Sequence, residues 1–387
     1  MTHRFPRIAC RAAGAVLLAA ALAGCSSLSS IGSLFGGSDK PKPAELQPNP
    51  ASLAVRQAWT AKIGQVAYPL AVNVNAGQVT LAASDGTVAV LDAATGRDVW
   101  RASAGAPVIA GAGSDGSLVA VVTNDNNLVG MVDGKVLWRE KLSAQAYTSP
   151  FVAGKRVFVL AADRSVSAYD GQTGRKLWTQ SRPGEPLVLR QAGVLLAVGD
   201  TLVAGQGGRM AGLNPANGTV RWEVPIASPR GTNDVERLVD LVSPVSRLDN
   251  SVCARAFQAA LGCVDAGRGT LTWTKAANSG VGIGGNETIV AGSESDGRVV
   301  AWRRDSGERS WIHDTLTHRG LTAPLVVGNS VAVGDSFGFL HVLAREDGRL
   351  VNRLATDGSA IIAAPVVAAN TMVVVTRNGG VYGFVPQ

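Results

Sequence analysis

Among the residues of this chain that could do chemistry, the cysteines come first. Cys25 ends the run Leu22-Ala23-Gly24-Cys25, after basic residues at His3, Arg4, Arg7 and Arg11 and an apolar stretch from Ala12 to Ala23. A charged head, an apolar middle and a small-residue cut site form a bacterial lipoprotein leader. The stretch is about a dozen residues long, well short of the ~20 that cross a bilayer. Cleavage would leave Cys25 at the new amino terminus, with acyl chains on its sulfur and its amine. Each buried CH₂ contributes ~0.8 kcal/mol, and more than one chain anchors stably. Ser26 stands where an Asp would favour the inner membrane, so the expected address is the periplasmic face of the outer membrane. The competing reading is an ordinary secretory leader that happens to end beside a cysteine.

Cys10 leaves with that leader, so Cys253 and Cys263 are the remaining thiols. They flank a hairpin centred near Gln258 at equal distances, which makes them cross-strand neighbours about 5 Å apart. In an oxidising compartment the pair is expected to form a disulfide; two small buried thiols is the alternative. His313 and His318 are five apart in a loop-like stretch, a poor spacing for a metal site. Gly280-Val-Gly-Ile-Gly-Gly285 imitates a phosphate loop, but no helical pattern follows it as the fingerprint requires. No Gly-x-Ser-x-Gly motif or haem-binding Cys-x-x-Cys-His occurs, and most acids stand in turns. The expectation is no catalytic residue, no metal and no cofactor.

Bulk properties agree. Net charge is +7 over the whole chain and falls by three, to +4, when Arg4, Arg7 and Arg11 leave. No Lys/Arg run forms a stripe, so nucleic acid is not an expected partner. Residues 26–50 are dominated by Ser, Gly and Pro. They read as a flexible tether with a typical reach of ~25–30 Å. The expected organisation is a leader at 1–24, a tether at 25–50 and one folded body at 51–387.

The elements that build that body repeat. Gly followed four residues later by Trp recurs at Gly96/Trp100, Gly134/Trp138, Gly174/Trp178, Gly218/Trp222, Gly269/Trp273 and Gly307/Trp311. Gly348 keeps the register but meets Asn352, and Trp59 fits as one more member. Steps of 41, 38, 40, 44, 51, 38 and 41 residues suit four-stranded propeller blades. Pro69, Pro107, Pro150, Pro186, Pro244, Pro324 and Pro365 open the first apolar stretch of most units, where no ladder donor is needed. Turn pairs such as Asp85-Gly86, Asp163-Arg164, Gly207-Gly208, Asp296-Gly297 and Asn378-Gly379 mark hairpins. Asp92, Asp170, Asn214 and Asp265 precede the repeat glycine by four and can start the turn with their side chains.

Only three strands follow Asn352, so the segment around Val55–Lys62 must supply a fourth. The fold class is all-β: an eight-bladed propeller of four-stranded antiparallel blades, the last closed by an N-terminal strand. Seven blades is the alternative, if blade 4 or 5 is irregular. The recurring Trp is read as packing between blades, with a looser seam where Asn352 replaces it. Trp302, outside the register, is read as packing too.

The segments Leu91-Asp-Ala-Ala-Thr-Gly-Arg-Asp-Val-Trp100 and Tyr169-Asp-Gly-Gln-Thr-Gly-Arg-Lys-Leu-Trp178 resemble the repeat of pyrroloquinoline-quinone (PQQ) dehydrogenases. With the leader, the tether and eight blades free of large insertions, the chain resembles the BamB family, propeller lipoproteins of the outer-membrane β-barrel assembly machinery. The likeness is sharpest in Pro186-Leu-Val-Leu-Arg190 and in Thr232-Asn-Asp-Val-Glu-Arg-Leu-Val-Asp-Leu-Val-Ser-Pro244. It implies a non-catalytic scaffold whose loops dock on the periplasmic domains of the barrel-inserting subunit. Leu187, Leu189 and Arg190 would serve in the first loop and Asp240 in the second. A further acidic position of the family is Val242 here. The alternative has Leu187 and Leu189 as inward residues of an alternating strand, and Arg190 as a solvated charge or an internal partner of Asp240. Blade edges could also hold unfolded outer-membrane strands. The competing function is a PQQ-dependent periplasmic dehydrogenase; a sugar-binding propeller is a third.

Overall fold

The computed structural model describes residues 1–2, 41–182 and 187–387. Cys10, Cys25, the leader from residue 3 onward and Pro186 lie outside the described residues. Thirty-two strands among the described residues form eight separate four-stranded sheets, with no helix. Each sheet is an antiparallel meander. Blade 1, for example, runs Asn73–Asn75, Gln78–Ala82, Thr87–Asp92 and Asp98–Ser103. First strands of neighbouring blades lie side by side around the axis, as Asn73–Asn75 does beside Gly113–Ser114 and Val366–Ala368. In blade 8 the strands Val366–Ala368, Thr371–Val375 and Gly380–Pro386 are completed by Val55–Lys62, with Val55 opposite Pro386 and Lys62 opposite Gly380.

The repeat signature is a lock between blades. Asp92 accepts the amide and hydroxyl of Thr95 at 2.9 and 2.7 Å, and its own carbonyl takes the Gly96 amide at 2.8 Å. Gly96 turns with φ of 71°. A Cβ there would stand 2.4 Å from the Trp59 ring of the preceding blade. Glycine is thus required twice, for the turn and for the indole resting on it. The indole N–H then donates to the carbonyl three residues before the glycine. Trp59 reaches Ala93 at 3.0 Å, Trp138 reaches Gly171 at 2.8 Å, Trp178 reaches Pro215 at 3.0 Å, Trp273 reaches Arg304 at 2.8 Å and Trp311 reaches Arg345 at 2.7 Å. Between the blades pack the buried aliphatics of the second and third strands, such as Leu81, Val121, Leu202 and Leu340. Trp302 is buried with Val290 and Val300.

Asn352 breaks the pattern in an informative way. It is 5 % exposed, and its amide donates to the Leu53 carbonyl at 2.7 Å. Residues 44–53, assigned by composition mostly to the tether, are bonded to blades 6 and 7. Beside them an apolar groove of about 590 Å³ stays open, lined in part by Val342, Met372 and Phe384. The seam is looser in its apolar layer and is tied by polar bonds instead.

The prolines are less uniform than the sequence predicts. Pro150, Pro324 and Pro365 directly precede first strands, whereas Pro69 and Pro107 stand several residues ahead of theirs. Pro244 lies inside Leu241–Leu248, at the register shift between Val242 and Ser246 where no ladder donor is needed.

Candidate functional site

In such a meander the hairpins joining second to third strands share one end of the propeller with the crossings from blade to blade. That crossing face carries the candidate patch. Leu187 to Arg190 belong to the crossing from blade 3 to blade 4, and Asp240 ends the crossing from blade 4 to blade 5. Leu187 to Arg190 lie outside any strand, which removes the alternating-strand reading.

Asp240 is the keystone. One carboxylate oxygen accepts the Leu189 amide at 2.9 Å, and the other accepts Arg164 Nη2 at 3.3 Å. The same Nη2 donates to the Leu187 carbonyl at 3.1 Å. Arg164 occupies the blade 3 hairpin with φ of 63°, and Gln206 donates to its carbonyl at 2.8 Å. Three blades therefore brace one loop. Asp240 points inward to this brace, and the pairing with Arg190 that the sequence left open is made by Arg164. Arg190 is exposed and lies over the Tyr147 ring, 5.7 Å from its centroid. Leu187 is 38 % exposed. Leu189 is half-buried beside a cleft of about 50 Å³ that Tyr147, Leu160 and Leu241 also line. Val242, which the resemblance matches to an acidic position, is buried and bridged to Gly193. It offers no charged group to solvent.

The other chemical candidates resolve into structure. Cys253 and Cys263 stand directly opposite in blade 5 and are joined by a disulfide, with Cα atoms 3.9 Å apart. A Cβ at Gly282 would lie 2.1 Å from the Pro244 carbonyl oxygen, and one at Gly284 would lie 2.1 Å from that of Pro324. The glycine run lets neighbouring first strands approach and leads into the strand Ile283–Gly285, with no helix after it among the described residues. His313 is buried against the Thr315 hydroxyl at 2.9 Å, while His318 is an exposed turn residue. No group of three or more metal-ligating side chains occurs among the described residues.

Two buried charge clusters escaped the sequence reading. Asp335 takes Arg319 Nε at 2.8 Å and His341 Nε2 at 3.0 Å, and its other oxygen accepts the amides of Phe337 and Phe339. Arg255, fully buried in blade 5, reaches Glu294 in blade 6 at 2.9 Å. The first ties the crossing into blade 7 to a hairpin and strand of that blade, and the second ties blade 5 to blade 6. No local motif announces them.

The axial cleft is lined by Pro69, Leu70, Val281, Ala323 and Ile362, with Gln191, Ser243 and Thr322 as its polar groups. A quinone held with a metal ion needs carboxylates there, and this lining has none. The residues do not fit the group.

Fold and site together define a propeller of the PQQ-like repeat class whose hub is apolar and whose distinctive polar construction sits on its crossing face. The family described as outer membrane protein assembly factor BamB matches residues 84–313, and the chain belongs to it. It is 37 % identical over 366 residues to the outer membrane protein assembly factor BamB of Burkholderia pseudomallei, covering 92 % of this chain and 95 % of that one. The crystal structure of BamB from Moraxella catarrhalis superposes with a TM-score of 0.78 at 23 % identity, over 85 % of this chain and 99 % of that one. Quinohemoprotein alcohol dehydrogenase from Comamonas testosteroni superposes at 0.67 with 14 % identity, over 88 % and 78 %, a likeness of fold.

Proposed function

We propose that this chain is a non-catalytic subunit of the outer-membrane β-barrel assembly machinery. In this reading lipid on Cys25 holds it at the periplasmic face of the outer membrane. The loop of Leu187, Leu189 and Arg190 docks on the periplasmic domains of the barrel-inserting subunit. The observation that carries the reading is the Arg164–Asp240 brace. It holds the loop backbone at Leu187 and Leu189, next to Arg190 over the Tyr147 ring, and preorganised apolar and Arg anchors are what binding hot spots are made of. Outer strands add a second capacity. They expose Val99, Leu137, Leu271 and Ile312 on blade edges, where an unfolded barrel strand could add by main-chain pairing.

The test is a pull-down from envelope extracts with Leu187→Glu and Arg190→Ala. Loss of the barrel-inserting subunit supports docking, and undiminished recovery overturns it. Dye reduction by the purified chain with PQQ and Ca²⁺ tests the dehydrogenase alternative; sustained turnover would displace the scaffold reading.

A further inference from the structure

We infer that residues 44–53 are a strap that decides which face of the propeller the membrane tether leaves from. This rests on the proposed anchor at Cys25. The fourth strand of blade 8 begins at Val55, opposite Pro386. That is the end carrying the first-to-second and third-to-fourth strand turns, remote from the Leu187–Arg190 loop. A chain leaving directly from Val55 would put the tether there.

The strap prevents this. Ser52 donates through its amide and hydroxyl to the Val351 carbonyl at 2.9 and 3.1 Å. The Asn49 side-chain amide reaches Asn352 Oδ1 at 3.1 Å and the Arg353 carbonyl at 3.0 Å. Arg353 in turn donates to the Gln47 carbonyl at 2.7 Å. Strap numbers fall as blade 7 numbers rise, so the strap runs antiparallel along the outer strand Leu350–Ala355 and reaches the crossing face. There the Ala44 amide bonds the Thr317 carbonyl, and Arg319 Nη1 bonds the Ala44 carbonyl, both at 2.9 Å. Arg319 is itself fixed by Asp335 and by the Phe337 ring, 4.7 Å from its guanidinium carbon. The chain therefore departs beside the crossing from blade 6 to blade 7, on the face that carries the docking loop. A flexible tether of eighteen residues, the number from 26 to 43, would reach typically about 21–25 Å. Strands of this length separate the two faces by ~17–20 Å. The routing therefore changes which face lies near the membrane by an amount comparable to the tether itself.

The experiment places a donor dye at Asn378→Cys on the crossing face of blade 8 or at Asn370→Cys on its opposite face. The full lipidated chain is bound to vesicles carrying a headgroup acceptor. Transfer is expected to be greater from position 378, and hydrogen exchange at the amides of Ala44 and Ser52 is expected to be slow. A variant combining Ala44→Pro, Asn49→Ala and Arg353→Ala removes four bonds between strap and propeller and should lose the difference while keeping native tryptophan emission. Equal transfer from both positions in the unaltered, floating chain overturns the routing alone, as does rapid exchange at both amides. Failure to float with the vesicles overturns the anchor, and with it the claim about the membrane.

Discussion

Asn352 bonds the Leu53 carbonyl at the position where each of the other seven blades carries tryptophan. At that seam an indole resting on glycine is replaced by an amide holding the chain's own N-terminal segment. Asn352→Ala would leave the Leu53 carbonyl and Asn49 without this partner. An unmet buried hydrogen bond costs about 1–3 kcal/mol. Urea unfolding should show that loss, with faster exchange at Ser52. Trp311→Ala, at an ordinary seam, should cost more, about 3–5 kcal/mol.

The brace beneath the proposed docking loop predicts a separation of effects. Arg164→Ala removes the bonds to Asp240 and Leu187 while leaving Leu187, Leu189 and Arg190 in place. Hydrogen bonds to charged groups contribute about 1.5–3 kcal/mol. A modest fall in stability, accompanied by faster exchange at the Leu189 amide and weaker recovery of the partner, is the expected outcome. Asp240→Asn should act in the same direction and less strongly, since an amide oxygen can still accept one bond.

Acid should weaken the fold in a defined order. Burial pushes the imidazoles of His341 and His313 below their ordinary value, against the raising pull of Asp335 on His341. The unfolded chain therefore takes up protons near pH ~6.5 that the folded chain refuses, and stability falls as pH drops through that region. For Asp335, burial pushes the carboxyl up, but His341, the Phe339 amide and Arg319 outweigh it and hold it low. That contribution is lost later, as pH falls below the ordinary carboxylate value of ~3.9. Thermal unfolding should show a lower Tm at about pH 5 than at about pH 7.5, and His341→Gln should flatten the difference.

The blade 5 disulfide closes a short loop and lies in the core, with Cys253 and Cys263 almost wholly buried. Replacing both cysteines by alanine should cost about 2–3 kcal/mol. Alkylation after reductant treatment should label neither residue in the native protein and both in urea.

Much of this architecture is legible in the sequence because its determinants are local. The glycine turn, the Asp or Asn four residues before it and the indole four residues after it all fall within one short window. That is why the blade count, the closing strand and the Cys253–Cys263 register can be read directly. The brace is hidden because Arg164 stands in a hairpin like any other turn residue, and its partner is in another blade. The strap is hidden for a different reason. Its attachment is made of hydrogen bonds from Asn49, Ser52 and Arg353, which leave no apolar periodicity behind. The Arg319–Asp335–His341 cluster is assembled by a long crossing and a hairpin, and spacing alone does not mark it.

The pairing of Val55 with Pro386 imposes a timetable. Every other strand can find its neighbour soon after it is made, but the opening strand has none until the closing one arrives. The strand Gly380–Pro386 must be made before the ring can shut. Until then an unpaired strand edge and the facing side of blade 7 stay open to aggregation or to a holding chaperone. Deleting Gly380–Pro386 would therefore leave Val55–Lys62 without its partner, and the chain is most vulnerable until those residues are made.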